Sequence, residues 1–209
     1  MSKLKLCLVT FGTIIGIVGI LHGSAELLKG SILVSGHTIE ALPINWPNQV
    51  FYEIMQGAPG FSLLTGIPYY VVGLLAISVS IALIVCSVTV IDVSKSGISI
   101  FAILSLGIFC FGAGRGTPVV ISIPLIVVSI MALWLPSKDR SHSSKRRLSL
   151  LFNLFYWWHI LSWLLFFPGL FTLSFYQDIP TFLFIFMFAS MPIATLGSLV
   201  TGLKFDKSH

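Results

Sequence analysis

Charged residues divide this chain into long apolar stretches. No Asp, Glu, Lys or Arg lies between Glu53 and Asp92, Lys95 and Arg115, Arg115 and Lys138, Arg147 and Asp178, or Asp178 and Lys204. A helix needs about 20 apolar residues to cross the hydrocarbon of a bilayer, and each gap is of that order. With the apolar run that follows Lys5, the pattern predicts six crossings: about 4–28, 62–91, 97–114, 117–135, a stretch within 148–175, and 180–203. The expected fold class is therefore all-α: a polytopic membrane protein built as a six-transmembrane-helix bundle. It forms a single transmembrane domain over 1–209, with an extracytoplasmic cap segment at 30–61 and a basic cytoplasmic loop at 136–147.

The basic residues orient that arrangement. With the N-terminus inside, Lys3, Lys5, Lys95, Lys138, Arg140, Lys145, Arg146, Arg147, Lys204 and Lys207 fall on the cytoplasmic side. Only Lys29 and Arg115 fall outside, which is the asymmetry of the positive-inside rule and puts both termini in the cytoplasm. Composition agrees: 56% of the 209 residues are hydrophobic, 9% are charged, and the mean hydropathy is +1.00. A soluble domain carries about 25% charged residues. The basic balance thus reports topology rather than nucleic-acid binding. A rival reading of the first span is a signal peptide, since a basic start, an apolar core and "GSA" before Glu26 resemble a cleavage site. Cys7, Cys86 and Cys110 are too scattered for a disulfide framework or a metal motif and read as small packing residues.

The first span carries the candidate chemistry. Gly12, Gly16, Gly19, Gly23, Glu26 and Gly30 recur at steps of four and three, which aligns them on one helical seam. Glycines so spaced admit a neighbouring backbone at short range. Glu26 should then face protein, with His22 one turn earlier within reach. Arg115, on the same side of the membrane, is the expected ion-pair partner of Glu26. In the cap, "PNQVFYEIMQG" reads as a short helix, Trp46 as an interfacial anchor, and Glu53 and His37 as residues of a lid.

The fifth span leaves His159 open. If "KRRLSLLFNLFYWWH" begins as an interfacial helix, Tyr156, Trp157 and Trp158 form an aromatic belt and His159 sits near the inner surface. If the crossing starts at Leu148, His159 lies roughly 17 Å deep at ~1.5 Å per residue. Pro168 should kink this helix. A weak repeat joins "GIPYYVVGLLAI", "SIPLIVVSIMAL" and "SMPIATLGSLVT", each with a proline followed five residues later by Gly or Ser, and suggests three helical hairpins.

No HExxH, GxSxG or P-loop occurs, and "GAGRGTP" follows no strand and lacks the lysine of a phosphate loop. The expected function is to bind, sense or translocate a small apolar or amphipathic, lipid-like molecule through an outward polar pocket. His22, Glu26, Arg115, Glu53 and His159 are its candidate residues. No cofactor, metal or nucleic acid is expected. The expected partners are membrane lipid, the small ligand, and a second copy or another membrane protein. Two alternatives stay open: an enzyme acting on lipid or isoprenoid substrates with His22 and Glu26 as acid and base, and a non-catalytic scaffold. Ser78, Ser80, Ser105 and Ser129 within the spans need no ligand, because hydroxyls bond their own helix or a neighbour.

Overall fold

A computed structural model describes residues 2–34, 64–90, 95–111, 117–134, 142–174 and 181–207. They form six helices: α1 (Lys3–Leu27), α2 (Tyr69–Val85, prolonged by a π-helical turn Cys86–Val90), α3 (Lys95–Phe111), α4 (Thr117–Trp134), α5 (His142–Ser174) and α6 (Thr181–Asp206). Among the described residues there is no strand, only an isolated antiparallel bridge between Leu33 and Pro68. Among the described residues three helical segments, Lys3–Leu27, Tyr69–Thr89 and Ser144–Leu165, are long and apolar enough to cross a membrane. Lys95–Phe111 and Ile123–Trp134 are shorter apolar helices.

Much of α2 is β-branched, a composition that does not favour helix in water. In an apolar surrounding every backbone donor must find a partner within its own segment, and the helix provides it. Hydroxyls follow the same demand. Ser78, Ser80 and Ser129 donate to the carbonyls of Leu74, Ala76 and Leu125, four residues back, at 2.6–2.7 Å. Ser105 departs from the expectation: its Oγ is buried and has no hydrogen-bond partner.

α1 is the central helix. Its Leu4, Cys7, Leu8, Phe11 and Ile15 join one buried cluster with residues from all five other helices, including Leu83, Phe101, Leu125, Phe152 and Leu199. Of the cysteines, Cys7 and Cys86 are buried and none is in a disulfide. Four glycines on α1 set its contacts. The space above Gly12 is filled by Ser87 and Phe101, above Gly16 by Ile84, above Gly19 by Ser80 and Ile108, and above Gly23 by Gly73, Ala76 and Ile77. Numbers falling along α2 and rising along α3 make α1 antiparallel to the former and parallel to the latter. At Gly23 a side chain would meet the Gly73 carbonyl oxygen at 2.8 Å, a backbone atom that cannot turn away. Gly30 does not continue this row. The helix ends at Leu27, and Gly30 lies in the following turn at φ +63°, a left-handed conformation that glycine adopts without strain.

The closest helix pairs are sequential: α1 with α2, α3 with α4, α5 with α6. The three prolines of the sequence repeat do not occupy equivalent places, however. Pro68 caps the N-terminus of α2, whereas Pro124 and Pro192 lie inside α4 and α6. The α5 helix begins at His142 rather than at Leu148 and runs through Pro168 as one element of 33 residues. Of the expected aromatic belt, Trp157 is exposed, but Tyr156 turns inward. Its hydroxyl meets that of Thr10 at 2.9 Å, and its ring stacks on Phe152 and Phe11.

One end of the bundle is closed by polar side chains that reach between helices. The N–H groups of Lys3 and Leu4 donate to the Asp206 carboxylate at 3.0 and 2.7 Å, Lys5 N–H donates to Ser2 Oγ, and Leu6 N–H donates to the Ser2 carbonyl. Of the four donors that a helix start leaves open, those of Lys3, Leu4 and Lys5 thus have side-chain acceptors, two of them on the last residue of α6, and the Leu6 bond is the first of the helix itself. Lys3 Nζ donates to Ser149 Oγ at 2.6 Å and lies over the rings of Phe152 and Phe205. Lys207 Nζ donates to the Ala132 carbonyl near the end of α4 at 2.8 Å. The start of α1, the first turns of α5 and the ends of α4 and α6 therefore share one end. Asp206→Ala leaves two N–H groups without acceptors and is expected to cost about 1–2 kcal/mol, read as a lower midpoint of thermal unfolding in detergent, with Asp206→Asn intermediate.

Candidate functional site

At the opposite end of the bundle, the close approach of Gly23 to Gly73 presses α2 against the last turn and a half of α1. Glu26 lies in that contact and is fully buried. His22 Nε2 stands 3.3 Å from Glu26 Oε1, close enough for an ion pair but not aligned as a hydrogen bond. Neither Glu26 oxygen accepts a hydrogen bond. Three residues beyond Gly23 on α1 and four before Gly73 on α2 are Glu26 and Tyr69, so the antiparallel pairing sets them at one level of the hairpin. Tyr69 is fully buried, and its hydroxyl also lacks a hydrogen-bond partner. Lys29 Nζ sits 4.5 Å from the centre of the Tyr69 ring, an inward cation–π contact.

The backbone beyond the two helices fixes this end. Val34 N–H donates to the Ile67 carbonyl and Gly66 N–H to the Val34 carbonyl. Tyr69 and Tyr70 N–H donate to the carbonyls of Ile32 and Gly30. The chain therefore leaves at Val34 and returns at Leu64 through a four-bond stem. Val34 and Val72 pack with Tyr69 there. Most of the expected cap, Glu53 and His37 included, lies outside the described residues, as does Arg115 with its expected pairing to Glu26. Among the described residues the approach to Glu26 is made by His22.

His159 is in a separate place. It is fully buried between α1, α5 and α6, with its ring centre 3.7 Å from that of Phe11 and its Nδ1 2.7 Å from Thr195 Oγ1. Phe11 is eight residues into α1, about 12 Å from its start at ~1.5 Å per residue. His159 therefore lies about two turns in from the end of the bundle that holds Lys3 and Asp206. The Thr195 hydroxyl donates to the Met191 carbonyl at 2.7 Å, which leaves its lone pair to accept from the imidazole. The network thus assigns the proton to Nδ1 and leaves Nε2, which has no hydrogen-bond partner, with a lone pair inside the bundle. One turn further along α5, Ser162 accepts from Ser190 Oγ at 3.2 Å, and Trp163 meets His159 edge-on.

Sequence reasoning passed over Tyr69 and Thr195. The first follows directly on Pro68 in "IPYY", and the helix start that this proline sets was the available signal. The second lies 36 residues from its partner and had none. Among the described residues no three His, Cys, Asp or Glu side chains gather as a metal site would require. No protein-family model, curated protein or solved structure matches the chain.

Thr195→Val leaves the His159 Nδ1–H without an acceptor in a dry interior and is expected to cost roughly 1–3 kcal/mol. Adding His159→Phe removes the stranded donor, so the double variant should unfold at a higher temperature than Thr195→Val alone. A thermal double-mutant cycle in detergent reads this coupling.

Proposed function

We propose that the chain crosses the membrane six times, with both termini in the cytoplasm. It binds, senses or translocates a small amphipathic molecule through the polar end of the α1–α2 hairpin. The lengths of three helices, the shorter apolar helices beside them and the distribution of Lys and Arg support the crossings. With Lys3 and Asp206 at one end and Glu26 at the other, the site opens to the outer side.

The observation that carries the reading is the Glu26 carboxylate, buried and without a hydrogen bond. A buried carboxylate lacking donors is costly. A ligand that brings an N–H or O–H group into this hairpin end removes the cost, and its apolar body follows the surrounding Val, Leu and Ile side chains. His22, half a polar and half an apolar surface, orients the incoming head, while Tyr69 supplies a second polar contact at the same level. Intramembrane ionisable groups of this kind tend to serve function rather than stability.

Two measurements test this. In a cysteine-free background, Ile32→Cys should react with a membrane-impermeant maleimide on intact cells, and Ser2→Cys and Lys204→Cys only after permeabilisation. Any other pattern removes the orientation. Native mass spectrometry of the full purified chain should show a co-purifying small molecule or lipid that is lost in Glu26→Gln and His22→Ala at an unchanged melting temperature. If both variants instead unfold alike and the wild type carries nothing, the pair is only a clamp between helices.

A further inference from the structure

α5 is longer than the bundle needs. Its Ser149 accepts from Lys3 Nζ at the level where α1 starts. The residues before Ser149 project past that level, and among them Arg146 and Arg147 are exposed. On the same helical face, two turns onward, Asn153, Leu154, Trp157, Trp158 and Leu161 line an open groove of about 480 Å³. Leu154 and Trp157 are each 62% exposed. The groove surface is almost wholly apolar, and Asn153 borders it as an exposed residue on a face that is otherwise Leu and Trp. Hydrocarbon offers an amide no partner, so this residue calls for an acceptor or donor from whatever lies against the helix.

We propose that this face is a binding site for one anionic glycerophospholipid. Its phosphate meets Arg146 and Arg147, its glycerol ester carbonyl accepts from the Asn153 amide, and an acyl chain lies in the groove against Leu154, Trp157 and Leu161. The spacing fits. Asn153 lies seven residues from Arg146, about 10 Å along the axis at ~1.5 Å per residue. Side chains on a helix lean toward its start, so the Asn153 amide reaches toward the arginines, and a glycerophosphate spans what remains. Charge complementarity selects the headgroup, since a zwitterionic lipid brings a second positive charge to two arginines. The site is distinct from the His22–Glu26 end and rests only on the membrane-crossing part of the functional reading.

The test is tryptophan quenching in nanodiscs of neutral phosphatidylcholine, titrated with either dibrominated phosphatidylglycerol or dibrominated phosphatidylcholine. Trp157→Phe identifies the signal of that residue. The Trp157-dependent quenching should reach half its maximum at an about tenfold lower mole fraction of the anionic lipid. Arg146→Gln with Arg147→Gln should bring the two lipids to parity. Asn153→Leu, an exposed change that suits the apolar face, should weaken the anionic preference severalfold without changing the melting temperature. Equal quenching by both lipids in the wild type overturns the site while leaving the crossing intact. A preference that survives both sets of substitutions places it elsewhere and also overturns it. Failure of either lipid to quench Trp157 removes the membrane reading and the site with it.

Discussion

The approach of α1 to α2 at Gly23 and Gly73 is the contact on which the arrangement depends. Neither position has room for a side chain, because each faces backbone of the other helix. Between apolar helices in an apolar medium, water expulsion contributes little to association, and close van der Waals contact must supply it. Backbone-to-backbone contact maximises that term. It also fixes the axial register of the two helices, since a shift by one residue would bring Leu or Val against the glycine. Register in turn decides that Glu26 and Tyr69 arrive at the same level and that the stem from Gly30 to Val34 can pair with Gly66 to Tyr70. The polar end of the hairpin is thus a consequence of small residues one turn below it.

The two ends of α1 solve the problem of open helix termini differently. At its start the N–H groups of Lys3, Leu4 and Lys5 have side-chain acceptors, and the distant Asp206 provides two of them, so the first and last helices are tied by charge-assisted hydrogen bonds. At its end the backbone is satisfied by the turn and stem, but the side chains are not: the Glu26 oxygens and the Tyr69 hydroxyl stay without hydrogen bonds. A structure optimised only for stability would place apolar side chains at such positions.

The helices were legible because a bilayer imposes a length on apolar runs and tolerates few charges within them. The burial of Glu26 was legible too, because it shares the glycine phase. Gly30 broke that phase since the helix had already ended, and a row of glycines cannot by itself tell the last helical turn from the left-handed residue after it. The prolines of the repeat fall at unequal places for a related reason. A proline is compatible with a helix start and, where the freed carbonyl is otherwise accommodated, with a helix interior, so "P" at equal offsets says little about equal position. His159 was ambiguous because "KRRLSLLFNLFYWWH" suits both an interfacial and a crossing helix. Its depth is decided by Phe11 and Thr195, which no local pattern links to it.

His159 and Glu26 show how the same residue economy yields two kinds of buried polarity. His159 is held by a threonine whose own proton is already committed to its helix, so a single acceptor fixes the tautomer, and aromatic faces cover the ring. Its remaining lone pair is enclosed among Phe11, Trp163 and the packed interior, where a change of partner would require helices to separate. Glu26 instead lies at the end of a hairpin, beside a histidine still 18% exposed and near a stem of four hydrogen bonds. A change of partner there needs movement of side chains at the hairpin end, not of the glycine-packed helices. The difference in accessible motion, rather than any difference in the amount of buried polarity, is the ground for assigning the proposed binding to the Glu26 end.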